Sequence, residues 1–167
     1  MSRTPKVQVI TPNDTDQNPS YPTTSVFLAG PTECPWRTNF LATLRSLIEK
    51  SPHPNITVYN PYQPNWGPSW REDLADNRFT TQVEWELERQ ESATIVALFF
   101  HGDSKAPLSL LELGLSARSG KAVVGCDKAY WKRGYVQAVC QRYGVPMADD
   151  LDGLATLVAD KLKGSRA

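Results

Sequence analysis

Ala93-Thr-Ile-Val-Ala-Leu-Phe-Phe100, then His101-Gly-Asp-Ser104, then Pro107-Leu-Ser-Leu-Leu-Glu-Leu-Gly-Leu115 reads as strand, bend and helix. A short apolar run bounded by turn residues marks a strand buried on both faces, the pattern of a parallel sheet. The helix that follows carries one carboxylate, Glu112, among its leucines. Leu108, Leu111, Glu112 and Leu115 stand at i, i+3, i+4 and i+7, so they share one stripe, and that stripe is expected to face the core. Burial raises a carboxylate's pKa unless cations or donors favour the charge. An acid in such a place therefore points to a function. A second reading competes: Ser109-Leu-Leu-Glu112 is also a capping-box pattern, with the glutamate bonding back to a backbone N–H. The residues alone leave both open, and both can hold at a sheet's ligand edge.

The same alternation extends to either side. Strands are expected at 25–29, ending at Gly30-Pro31, at 56–59 and at 122–126. Helices are expected at 36–50, with Phe40, Leu44 and Leu47 on one stripe, and at 82–91, 108–119, 131–143 and 150–162. Strands alternating with helices predict an α/β fold: a three-layer α/β/α sandwich around a flavodoxin- or Rossmann-like parallel sheet of about five strands. Residues 1–24 read as an N-terminal arm, with Val7-Gln-Val-Ile10 a possible short strand, and residues 25–167 as one domain. Residues 60–80 hold Pro61, Pro64, Pro68, Gly67, Trp66 and Trp70, the composition of a long loop of the kind that covers a site. In such sheets ligands bind beyond the carboxyl ends of the strands, where the strand order reverses. Loops 30–37 and 101–107 are the expected walls.

Composition narrows the class. Apolar residues make up 40% of the 167 and charged residues 22%, and eighteen basic side chains balance eighteen acidic ones. A chain of this length and composition builds a proper core. Without a basic patch it is not expected to bind a nucleic acid polymer. No stretch approaches the ~20 apolar residues of a membrane span, and the N-terminus lacks the apolar core of a signal peptide. Cys34, Cys126 and Cys140 have no CxxC spacing, and the two histidines lie far apart. The expectation is a reduced, cytoplasmic protein with no metal and no cofactor. No G-x-G-x-x-G or P-loop is present.

Other candidates each carry a plain alternative. Glu84, Glu88 and Glu91 share a helical face, most simply a solvated one; Glu86 projects differently, beside Leu87, and taken alone reads as a surface residue. His101 and Asp103 stand where ligand groups sit, and are also ordinary turn residues. Gly30-Pro31 either punctuates a strand or leaves backbone room for a ligand. Trp66, Trp70, Trp85 and Trp131 suit packing, and stacking on a base as well. Lys132-Arg133 reads as a solvated helix start.

Taken together, Val26-Phe-Leu-Ala-Gly-Pro31, Asn60-Pro61, Gln82-Val-Glu-Trp-Glu-Leu87, the 93–100 strand, Pro107–Leu115, Gly120-Lys121 and Val124-Gly-Cys126 resemble the nucleoside 2-deoxyribosyltransferase family, in its "2-deoxyribosyltransferase-like" branch. The likeness covers roughly residues 25–146, and Ser109-x-x-Glu112-Leu-Gly is its most specific piece. It implies that Glu112 attacks the anomeric carbon of a 2-deoxynucleoside, the base leaves, and a second base takes the sugar back. It implies an acidic residue against the base at Glu86, where the family usually has aspartate. Asp103 is the nearest match to an aspartate that binds sugar hydroxyls. Ser109 matches a small position close to the sugar, and Phe27 an aromatic on the first strand. Tyr135 stands where the branch has asparagine in Gly-Asn-Val. The resemblance further implies a small-molecule nucleoside or nucleobase partner and a homo-oligomer, dimer or hexamer, in which neighbouring subunits complete the sites. Hydrolysis of a nucleoside or nucleoside 5′-monophosphate by the same glutamate is the alternative, with Arg37 the cation close to the first loop. A non-catalytic nucleotide-sensing module is a second.

Overall fold

A computed structural model of the chain describes residues 6–164. Residues 1–5 of the expected arm and 165–167 of the expected domain lie outside the described residues. Six strands, β1 (Val7–Ile10), β2 (Ser25–Ala29), β3 (Ile56–Tyr59), β4 (Ile95–Phe100), β5 (Ala122–Cys126) and β6 (Met147–Ala148), form one sheet in the order β1-β3-β2-β4-β5-β6. Every pairing is parallel. The strand order reverses between β2 and β4, whose carboxyl ends meet at the middle of one sheet edge.

Strand alternation splits the core in two. Val26 and Leu28 point to the face covered by α1 (Trp36–Glu49) and α5 (Leu151–Gly164), through Phe40, Leu44, Ile48, Leu154 and Val158. Phe27 and Ala29 point to the other face, covered by α3 (Pro107–Ser116) and α4 (Arg133–Tyr143) through Leu113, Val136 and Cys140. This is the expected three-layer sandwich. On the first face a buried histidine joins two helices: His53 Nε2 lies 3.1 Å from the carbonyl of Ala159 in α5, and Nδ1 lies 3.0 Å from that of Ser51, just past α1.

Several boundaries differ from expectation for local reasons. Helix α2 spans Asn77–Ser92, five residues earlier than its apolar pattern begins, because Asp76 caps it by accepting from Arg78 N at 3.0 Å. The loop after β3 accordingly ends at residue 76. Strand β6 pairs only two residues with β5 and follows Pro146, so no period announced it. Helix α3 gives way to a 3-10 turn at Ala117–Ser119. Arg133 is not a solvated helix start: its guanidinium bonds Cys126 O and lies 2.5 Å from Asp149. No helix among the described residues is long and apolar enough to cross a membrane.

Candidate functional site

A cavity of about 550 Å³ opens beside the carboxyl ends of β2 and β3. Its walls come from four segments. Gly30, Thr32 and Arg37 follow β2; Pro61, Tyr62, Gln63, Pro64, Trp66 and Glu72 belong to the loop after β3. Gln82, Glu86 and Gln90 come from α2, and Leu108, Leu111, Glu112 and Leu115 from α3.

The β2 wall is built by its own sequence. Trp36 Nε1 and Arg37 Nη1 both donate to the carbonyl of Pro31 at 2.9 Å, and Arg37 Nη2 donates to that of Gly30 at 2.9 Å. The guanidinium lies 4.8 Å from the centre of the Trp36 ring, and Nε has no partner among the described residues. Arg37 is only 8% exposed. Burial lowers its pKa to about 10 against the pull of Glu112 and Glu86, so it stays charged at neutral pH.

Glu112 owes its place to the start of α3. Ala106, in the left-handed region at φ 44°, turns the chain, and Pro107 opens the helix. No side chain among the described residues caps this helix, which starts before Ser109, so the capping-box reading of Ser109 and Glu112 does not hold. The leucine stripe is real but faces the other way. Leu108, Leu111 and Leu115 are 61, 61 and 58% exposed, whereas Ser109, Leu113 and Ser116 lie against the sheet. Small serines let α3 approach closely and turn the stripe toward the cavity. No hydrogen bond from the described residues reaches the Glu112 carboxylate. Burial first, then the charge of Glu86, raises its pKa to about 8; Arg37 opposes them.

Glu86 faces the same cavity one helix away. Burial raises its pKa, while a hydrogen bond from Gln82 and the charge of Arg37 pull it down. The Gln82 amide donates to Glu86 Oε1 at 2.8 Å and to Pro61 O at 2.9 Å. Glu84, Glu88 and Glu91 are exposed, as the helical period implied.

Of the eight site residues expected from sequence, Glu112, Glu86 and Gly30 line the cavity and Pro31 supports its wall; Arg37 and Trp66, noted in the sequence for other reasons, line it too. The other four of the eight do not line it. Phe27 is buried in the core below. Asp103 is exposed on the bend, its N–H bonded to His101 Nδ1. Ser109 is buried, and Tyr135 is exposed on α4. Gln63, Gln82 and Gln90 were missed. Of these, Gln82 carried a signal, standing at i, i+4 from Glu86, a spacing at which side chains meet.

Residues 23–130 match the protein family described as nucleoside 2-deoxyribosyltransferase like. No curated protein matches the chain. Among solved structures it is similar to a conserved protein from Enterococcus faecalis, at 13% identity over 83% of this chain and 99% of that one, with a TM-score of 0.57. At that identity the likeness bears on the fold alone.

Proposed function

Because the chain belongs to the nucleoside 2-deoxyribosyltransferase-like family, we propose that it transfers 2-deoxyribose between nucleobases by way of a bond to Glu112. Membership supports nucleoside glycosyl chemistry in general. The observation that carries the finer reading is the pair of carboxylates, Glu112 and Glu86, facing one cavity from different helices beside a buried arginine.

In this reading a Glu112 oxygen attacks C1′ while the C1′–N bond breaks, and that bond's electron pair leaves with the base. Glu86 gives its proton to the departing nitrogen. A second base then attacks C1′, Glu112 departs as carboxylate, and the incoming base returns a proton to Glu86. The pair must therefore hold one proton between them. Two half-buried carboxylates facing one cavity do not both ionise easily. Positive charge growing at C1′ favours ionised Glu112 and so moves the shared proton to Glu86.

The lining also favours free nucleosides over monophosphates. Glu72, Glu86 and Glu112 stand against one cation, and two of that cation's nitrogens are already bound to Gly30 and Pro31. A phosphate entering here meets net negative charge without a free donor fork. The exposed leucines of α3 at the cavity rim support the homo-oligomer the resemblance implies.

The test is base exchange: the protein is mixed with a 2-deoxynucleoside and a different free base, and the products are separated by chromatography. A new nucleoside supports transfer. Free base without a new nucleoside replaces transfer by hydrolysis, and unchanged reactants exclude both.

A further inference from the structure

A ladder of side-chain amides runs from the N-terminal arm to the cavity. Asn13 and Gln63 exchange two hydrogen bonds, each 2.9 Å, across the start of the loop. Gln63 Nε2 also donates to Gln82 Oε1 at 3.3 Å. Gln82, 3% exposed, then donates to Pro61 O and Glu86 Oε1. Its orientation is forced. The Pro61 carbonyl can only accept, and Gln63 presents a donor, so the amino end of Gln82 must face Pro61 and Glu86.

We propose that Gln82 is a positioning residue for Glu86, holding that carboxylate by a donor whose own place is set by Pro61, Gln63 and, outside the cavity, Asn13. Pro61 and Gln63 belong to the wall a ligand touches, so any shift of that wall on binding is passed to Glu86 through one amide. A donor aimed at a carboxylate favours its charged form, which sets how readily Glu86 gives and regains a proton. The other charged or titratable groups lining the space before Glu86 are Arg37 of α1, Glu112 of α3, and Tyr62 and Glu72 of the loop. None of them hydrogen-bonds to it among the described residues, so Gln82 is its direct donor.

The inference rests on Glu86 acting in the proposed exchange, but one readout is independent of activity. The Glu86 side-chain carboxyl carbon, 13C-labelled, is titrated by NMR in the wild type, in Gln82→Met and in Asn13→Ala. The expected result is a Glu86 midpoint at higher pH in Gln82→Met, with burial no longer opposed by the donor. An unmoved midpoint overturns the proposal. Asn13→Ala, at the surface and away from the cavity, removes both bonds to Gln63 and is expected to raise the KM for nucleoside about fivefold. Unchanged kinetics there overturn the link to the arm. A moved midpoint in a protein that exchanges no bases upholds the ladder and sinks the transferase reading; exchange with an unmoved midpoint does the reverse.

Discussion

Trp36 occupies the space that a side chain on Gly30 would need: a Cβ there falls 2.5 Å from Cζ2 and 2.8 Å from Nε1 of the indole. That indole and the next residue's guanidinium hold the Pro31 carbonyl, so the glycine is required by close approach. Gly30→Ala is expected to push Trp36 off its bond and cost about 2 kcal/mol, as overpacking usually does. Urea unfolding measures it, and a variant as stable as the parent counts against the clamp.

Glu112→Gln removes the nucleophile of the proposed reaction while keeping its shape. Exchange should fall by about 10³-fold or more. Stability should move the other way. With its pKa raised to about 8 in the folded chain, Glu112 binds more protons folded than unfolded between about pH 4.5 and 8. Stability from this group therefore falls as pH rises through that window. Denaturation of parent and variant at pH 5 and pH 8 should show the variant gaining on the parent at the higher pH. A gap independent of pH would mean that Glu112 titrates normally.

Much of this arrangement was legible in the sequence. The buried strands announced themselves because a run apolar on both faces has few other uses, and the sheet's switch point led to loop 30–37. Loop 101–107, the other expected wall, does not line the cavity, whose opposite side is built by α3 and the loop after β3. The direction of α3 was not legible. Periodicity says that Leu108, Leu111, Glu112 and Leu115 share a face, but not what that face looks at, and here Ser109 and Ser116 take the sheet side. The early start of α2 was hidden because its first turn, Asn77-Arg78-Phe79-Thr80, shows no apolar period, and its signal is a single aspartate in a polar loop. Glu86 looked like a surface residue because its surroundings come from α1, α3 and the distant Pro61 loop. The Gln82–Pro61 contact spans 21 residues and involves a backbone carbonyl, which no side-chain pattern encodes.

His53 offers a stability test away from the cavity. A neutral imidazole has one N–H, which donates either to the carbonyl of Ala159 or to the carbonyls near Nδ1. His53→Ala removes that donor and leaves one buried carbonyl short of a partner, and the expected loss is about 1–3 kcal/mol. For a chain of this size that corresponds to a fall in Tm of roughly 3–10 °C. Exchange activity per folded molecule should not change, since α5 takes no part in the cavity wall.

The stripe Leu108, Leu111 and Leu115 tests whether a second copy covers the cavity rim. Leu111→Asp lies on an exposed position, so the fold should survive within about 0.5 kcal/mol. If the rim is an interface, sedimentation of the variant should give a smaller species than the parent. An unchanged assembly would move the contact elsewhere.

Arg37 separates charge from shape. Its guanidinium holds two carbonyls and also lowers the pKa of Glu112. Replacing it by methionine removes the cation, so Glu112 should hold its proton to still higher pH, and the acid limb of the exchange rate should move upward. Arg37→Lys restores the charge without the two-pronged bond to Gly30 and Pro31. It should bring the limb back toward the parent while leaving the clamp weakened. A purely structural arginine would lower the rate equally at every pH in both variants. The pH profile of the methionine variant is therefore decisive: an acid limb that stays in place would remove Arg37 from the electrostatics of the site and leave it only the turn after β2.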